Sequence, residues 1–425
     1  MGSRHHKGAV NYEYGNCHRG RRLRNDAITS AREGARVIVL EHNERVGKKI
    51  LSTGNGRCNF TNIVQEPIFY HSDNILFPWT AVKAYGAQQT IAFFTELGIY
   101  SKNKNGYLYP YSEQAAAVLD VLRMELERLG VEIHCQEHVA RIAKNAGGFK
   151  IVSNYKGDNK GTKHTYKCDA VILASGSKAA PVTGSDGSGY CLAKECGHSM
   201  IAVHPALTQL RCREGFFKSL SGVRIGGKVS LIVDGRIEAE DTGEIQMTNY
   251  GISGIPVFQV SRFASKAVYE KKPVKAVLDF MPDFSEGQFK DYLINRVNIR
   301  PERPMDSFFT GLFHKKIATL FLKLAGIKGS RAAKSLTQDE VDALVCAVKR
   351  FTTEVENTNS YEQAQVCAGG VDTREINVKT MESLVMPGLF FAGEIMDVDG
   401  QCGGYNLQWA WTSGYLAGRE AAIHR

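Results

Sequence analysis

Glu41, the Gly47-Lys48-Lys49 step and the turn Thr53-Gly54-Asn55-Gly56-Arg57 form one group of residues suited to chemistry. Gly393-Glu394, Asp399 and Gly403-Gly404-Tyr405-Asn406 form a second, near the other end of the chain. A carboxylate at the tip of a strand can accept two hydrogen bonds from a ribose. Glycines let backbone amides approach a diphosphate, and Lys48, Lys49 and Arg57 place cations beside those amides. In the second group Gly403 and Gly404 precede a predicted helix, Tyr405–Gly418, whose partly positive N-terminus stabilises a developing anion by about 0.3–2 kcal/mol. A flavin ring gains negative charge on reduction, so a helix start placed there favours hydride acceptance. Ser175-Gly176, after another strand, is a weaker third contact. Two such corners suit a single extended nucleotide clamped from both sides.

These residues need strands and helices to hold them. Arg36–Leu40 is β-branched and closes on Glu41, after a helix ended by Gly34. Leu389–Ala392 is an apolar run of the kind buried on both faces of a parallel sheet. Between the corners the pattern predicts helices at 87–97 and 113–129 and strands at 131–135, 149–153 and 170–174. Residues 27–199 and 354–425 therefore read as two parts of one α/β unit. Residues 200–353 read as an insertion, β-rich over 200–260 and helical over 280–350, with helices at 286–297, 308–325 and 338–349.

Composition sets the outer bounds. A chain of 425 residues, 43% apolar and 23% charged, is ordinary for a globular protein of two or three domains. The formal charge of +9 would suit a nucleic-acid binder. However, residues 1–24 hold six Lys/Arg against one acid, Glu13, and removing them leaves +4. No basic–aromatic motif accompanies the excess, so no nucleic-acid partner is expected. Ten scattered cysteines, with no Cys-x-x-Cys pair and no clustered His/Cys spacing, argue for reduced thiols and against a metal site. No apolar run reaches membrane-spanning length and no hydrophobic signal core opens the chain, which predicts a cytoplasmic protein with no integral membrane association.

The segments Gly47–Asn62, Gly106–Pro110, Ala115–Leu119, Thr248–Ile255, Ala368–Val371, Thr380–Ser383 and Gly388–Gly414, in this order, resemble the BaiN-like flavoproteins, a bacterial family with a two-dinucleotide-binding fold. The resemblance runs from about Ile28 to Ala421. It implies a Rossmann-like FAD domain split across both chain ends, with an inserted β-barrel-like and helical region on the substrate side. It also implies FAD held by Glu41, by Gly54–Arg57 and by Gly393–Asn406, with Val139 near the adenine. The activity it implies is reduction of a carbon–carbon double bond in a 3-oxo bile acid, with NADH or NADPH as transient reductant and a hydrophobic, steroid-like enone as substrate.

One departure is large. The family opens with a strand and a G-x-G-x-x-G turn, whereas Arg19-Gly-Arg-Arg-Leu-Arg-Asn-Asp26 stands here, in a segment, 1–26, that fits nothing downstream. Arg and Gly codons read one base later give mostly Gly, Val, Ala or Cys, and Asn25-Asp26 can become Met-Met, so a shifted reading frame before Ala27 is expected. Catalytic residues are not legible; Tyr107, Tyr109 and Tyr405 are candidate proton donors. Phe216, Phe217, Tyr250, Ile252, Phe258, Phe308 and Phe309 would suit an apolar substrate wall, although core packing is the expected role of most of them. Two other functions remain open: a flavin-dependent amine or amino-ketone oxidase, and a non-catalytic binding protein that has lost flavin affinity.

Overall fold

The computed structural model describes residues 8–13, 25–158 and 161–424. It divides into two compact units, residues 1–205 with 361–425, and residues 206–360. Among the described residues no helix is long and apolar enough to cross a membrane.

The first unit is built on a five-stranded sheet in the order Leu389–Phe391, Ala170–Leu173, Gly8–Glu13, Arg36–Glu41 and Glu132–Cys135, every pairing parallel. Parallel strands are covered on both faces and so read as unbroken apolar runs. Ala170–Leu173 and Leu389–Phe391 are at most 1% exposed throughout. Gly8–Glu13 lies at the centre, within the segment that sequence patterning leaves unassigned; Ala9 pairs with both Ala170 and Val37. The segment 14–24, where the missing glycine turn is expected, lies outside the described residues. A three-stranded antiparallel sheet, Lys163–Cys168, Gly148–Tyr155 and Glu137–Asn145, is part of the same unit.

Helix Asn25–Arg32 packs on the terminal helix Tyr405–Ile423. Ser30 Oγ donates to Gly418 O (2.8 Å), and Asn25 Nδ2 donates to Trp411 O (2.9 Å). Asn25 and Asp26 are only 2% and 6% exposed at this seam, a polar pair where a helix–helix contact ordinarily buries apolar side chains. The helix expected from residue 113 starts at Ala115, because Glu113 takes a left-handed conformation (φ 52°) that a helix cannot include.

The second unit is a closed six-stranded barrel, Leu210–Cys212, Gly251–Ser253, Arg236–Thr248, Arg224–Val233, Val274–Asp279 and Phe351–Thr358, with antiparallel neighbours throughout. Helices Ile255–Tyr269, Glu286–Ile299, Lys315–Leu324 and Gln338–Lys349 accompany it. The helix expected at 308–325 begins only at Lys315: Phe308 and Phe309 sit in turns and bury their rings at 0% and 1% exposure. Phe217 (1%) and Ile252 (0%) are core as well, so four members of the expected substrate wall are packing residues. Phe216, Tyr250 and Phe258 are half-buried.

Candidate functional site

In the first unit the two glycine-rich segments meet. Lys49, in the short helix Lys48–Ser52, donates to Glu394 Oε2 at 2.9 Å, with side chains 4% and 2% exposed. Ser177 Oγ donates to the same oxygen at 3.2 Å. Burial lowers the Lys49 pKa and the Glu394 carboxylate opposes that shift. The neighbouring Cys367 thiol is pushed up to about 12 by burial, far from a reactive thiolate. Lys49 was expected to supply a phosphate-facing cation; the fold instead spends its charge on Glu394. Of the other two expected cations, Lys48 is half-buried and Arg57 is exposed, its guanidinium 3.9 Å from Glu113.

A second junction joins the Gly54–Asn62 stretch to the start of the terminal helix. Asn62 Nδ2 donates to Gly403 O (3.1 Å), and Thr61 Oγ1 donates to Gln408 Oε1 (2.6 Å). Gly404 caps the helix at φ 97°, and a Cβ there would lie 2.7 Å from the Thr61 carbonyl carbon and oxygen. The glycine at this corner is thus required by a crossing backbone as well as by its own torsion. Asn406, expected to face a ligand, is only 1% exposed and closes its own turn: Oδ1 accepts from Gly400 N (2.7 Å), and Nδ2 donates to Gly400 O (2.5 Å) and Gln401 O (3.2 Å).

The remaining expected contacts fall as follows. Glu41 ends its strand fully buried, and its Oε1 accepts from Asn43 N (2.9 Å) and Nδ2 (2.6 Å), which fixes the carboxylate. Thr53 Oγ1 donates to Ile50 O at 2.6 Å, while Gly54, Asn55 and Gly56 take successive left-handed torsions that turn the chain. Val139 is 2% exposed in the core, next to a register shift in its strand. Gly393 N–H donates to Ser413 Oγ at 2.8 Å, and Gly176 follows Ser175 beyond strand Ala170–Leu173. Asp399 is 1% exposed and its backbone pairs with His71.

Of the three candidate proton donors, Tyr405 is 5% exposed and stacks on Phe69 with ring centroids 4.5 Å apart; burial raises its pKa well above the ordinary phenol. Burial also raises Tyr109. Tyr107 is 39% exposed, with its ring edge 2.8 Å from the position of a Cβ on Gly403, so it is the most accessible of the three and lies against the second corner.

Four titratable groups outside the expected contacts also stand out. Asp397, beside Asp399, is 2% exposed and accepts from Asp73 N (2.8 Å) and Ser72 Oγ (3.2 Å); burial raises its pKa to about 6. His42, His138 and Asp186 come within 4.8 Å of one another at the Glu41 end, although no ligand spacing announces them. Burial, with Lys156 second, lowers His42 to about 4, so its ring is neutral at pH 7.

A flavin nucleotide fits these corners. Ser175 Oγ and Asn59 Oδ1 are buried atoms with no hydrogen-bond partner among the described residues, and an unmet buried polar atom costs about 1–3 kcal/mol unless a ligand satisfies it. The hydroxyls and ring N–H of a flavin nucleotide are donors of the kind both can accept.

Residues 26–420 match the family model described as HI0933-like protein Rossmann domain. The chain is 43% identical over 398 residues to the 3-dehydro-bile acid delta(4,6)-reductase of Clostridium scindens, covering 93% of this chain and 95% of the relative. It is 28% identical over 393 residues to the ribosomal RNA dihydrouridine synthase of Haemophilus influenzae, covering 92% and 93%. The enzyme of that name from Escherichia coli is 27% identical over 388 residues, covering 91% and 92%.

Proposed function

Because this chain belongs to the HI0933-like Rossmann family, an FAD-dependent oxidoreductase family, we propose that it uses NADH or NADPH to reduce a carbon–carbon double bond conjugated to a ketone in a steroid-like substrate. The observation that carries this reading is the meeting of the two glycine-rich segments, at Lys49–Glu394 and at Thr61–Gly404, in a chain 43% identical to a bile-acid dienone reductase.

The reaction balances as one hydride from the reduced nicotinamide added to the carbon remote from the carbonyl, and one proton added to the carbon beside it. Bound FAD supplies the two-electron carrier between nicotinamide and substrate. This chain's residues do the rest. Glu41 holds the ribose end, Ser175 and Asn59 accept hydrogen bonds from the nucleotide, and the Lys49–Glu394 pair fixes one segment against the other. The start of helix Tyr405–Ile423 would offer its partly positive end to the negative charge that the reduced flavin gains. Tyr107 is assigned the proton at the α-carbon, because it is the exposed phenol beside Gly403.

Uracil carries the same motif, a double bond conjugated to a carbonyl, so a single hydride-addition chemistry covers the names of both kinds of relative. The steroid substrate is favoured by the higher identity. The test is anaerobic turnover with FAD, NADH and a 3-oxo-4,6-dienone steroid, using the chain as written and a version whose segment 19–26 is restored to a glycine-rich turn. Loss of dienone absorbance with stoichiometric NADH oxidation supports the reading. Peroxide formed from an amine in air, dihydrouridine formed in RNA without dienone turnover, or a repaired protein that takes up no FAD each overturns it.

A further inference from the structure

The second unit holds a cleft of about 840 Å3 between the turn of helix Phe217–Leu220 and helix Lys315–Leu324. That volume is in the range of small-molecule sites, and the cleft is open to solvent along its length. Its apolar surface comes from the half-buried ring of Phe216, held edge-on against Phe351 (5.6 Å), and from Leu320, 6% exposed. Its polar lining is three lysines, Lys315, Lys316 and Lys323, with Ser219, His314 and Thr319, and holds no carboxylate.

On a helix, residues 316, 320 and 323 share one face, and 316 and 323 are about 10 Å apart along the axis. The two lysines therefore bracket Leu320. Lys316 Nζ donates to Ser221 O (3.1 Å) across the cleft, and neither Lys315 nor Lys323 forms an ion pair among the described residues. His314 Nδ1 accepts from Lys316 N (3.2 Å), so the neutral ring carries its proton on Nε2, another donor. The segments 214–221 and 313–324 contain four lysines, Lys218 included, and a single acid, Glu214. That carboxylate is turned away, accepting from Glu354 N (3.0 Å) and from the Thr353 hydroxyl.

A surface serving solubility alone mixes both signs and covers its aromatic rings. Here an aromatic and an aliphatic side chain form a pocket rimmed by cations of one sign. We propose that this cleft is a ligand site for a small amphipathic anion: a flat or elongated apolar body lies on Phe216 and Leu320, and its single carboxylate or sulfonate is held by Lys315, Lys316 and Lys323. The site belongs to the second unit alone and stands independently of the reaction assigned to the flavin corners.

The test titrates the full-length protein with 8-anilinonaphthalene-1-sulfonate and with N-phenyl-1-naphthylamine, which shares the aromatic body and lacks the charge. The sulfonate should bind with one-to-one stoichiometry and about tenfold or more tighter than the neutral probe, the gain expected of a charge-assisted contact. Lys316→Glu and Lys323→Glu, both on exposed positions, should each weaken the sulfonate about tenfold, leave the neutral probe unchanged and keep the far-UV circular dichroism of the parent. Cholate, a fused-ring carboxylate, should displace the sulfonate. Equal affinity for the two probes would reveal an apolar patch only. Insensitivity to both charge reversals, or displacement by short single-stranded RNA and not by cholate, would also overturn the proposal.

Discussion

A Cβ on Gly56 would come no nearer than 3.9 Å to a neighbour, the Leu51 carbonyl oxygen, whereas one on Gly404 would lie 2.7 Å from the Thr61 carbonyl carbon and oxygen. Both glycines have positive φ, 84° and 97°. At Gly56 the first corner uses glycine to turn the chain in open space, and at Gly404 the second uses it to bring two backbones together. The first is held by its own turn, in which Arg57 N and Cys58 N both donate to Thr53 O, and the face of Gly56 stays open. The second is already closed by protein contacts, since Asn406, Thr61 and Tyr405 are engaged with their own neighbours. One corner is a cradle and the other a buttress.

The largest effect is expected where the corners are joined. Lys49→Met removes the partner of Glu394 and leaves a buried carboxylate without its ion pair, which costs about 3–5 kcal/mol. The double variant Lys49→Met/Glu394→Gln removes both charges and should recover most of that loss, as measured by urea unfolding. If the single and double variants are equally destabilised, the pair does not hold the corners together. Gly404→Ala comes next: left-handed strain of about 1–2 kcal/mol adds to an overpacking cost of about 1–3 kcal/mol against the Thr61 backbone. Near-native stability in that variant would show that the terminal helix can withdraw, and the buttress would lose its basis.

A smaller, pH-dependent effect belongs to Asp397, which faces Asp73 and Asp399 and, at longer range, Arg374. Its folded pKa, about 6, is raised above the unfolded value near 3.8. The folded protein therefore binds the extra proton, and this group's contribution favours folding below about pH 4 and is lost as pH rises through 6. The loss is about 3 kcal/mol at most. Asp397→Asn keeps an acceptor for Asp73 N–H and Ser72 Oγ–H and removes the charge. It should be more stable than the parent at pH 7–8 and indistinguishable from it near pH 4, in denaturant titrations at each pH. A parent–variant difference that does not change with pH would place the titration elsewhere.

The sequence carried the elements whose side chains report their own environment. Arg36–Glu41 follows from a β-branched run and Gln338–Lys349 from helical spacing, and the structure places them at those residues. Gly8–Glu13 was not legible, because Asn11 and Glu13 break the apolar pattern and only pairing with strands far along the chain assigns it. Helix Ile255–Tyr269 was hidden behind the β-rich pattern of its surroundings, directly after strand Gly251–Ser253. At the site, glycine positions were legible and partnerships were not. Nothing local to Lys49 says that its charge is met 345 residues away, and nothing in Asn406 says that its amide closes a turn. Ser175 is marked by its place after a strand, whereas Asn59 is an ordinary polar residue until burial leaves its oxygen without a partner among the described residues.

The smallest prediction tests the cradle. Gly56→Ala meets no steric obstacle, so its only cost is left-handed torsion, about 1 kcal/mol. Stability should fall by that amount, far less than in Gly404→Ala. FAD affinity of the protein with a restored N-terminal turn should fall more than stability does, because the turn at residues 54–56 would be re-aimed while the rest of the unit stays intact. Equilibrium dialysis against FAD, alongside urea unfolding of the ligand-free protein, separates the two quantities. Should Gly56→Ala and Gly404→Ala lose FAD affinity and stability in the same proportion, the two corners would be doing one job, and the division into cradle and buttress would fail.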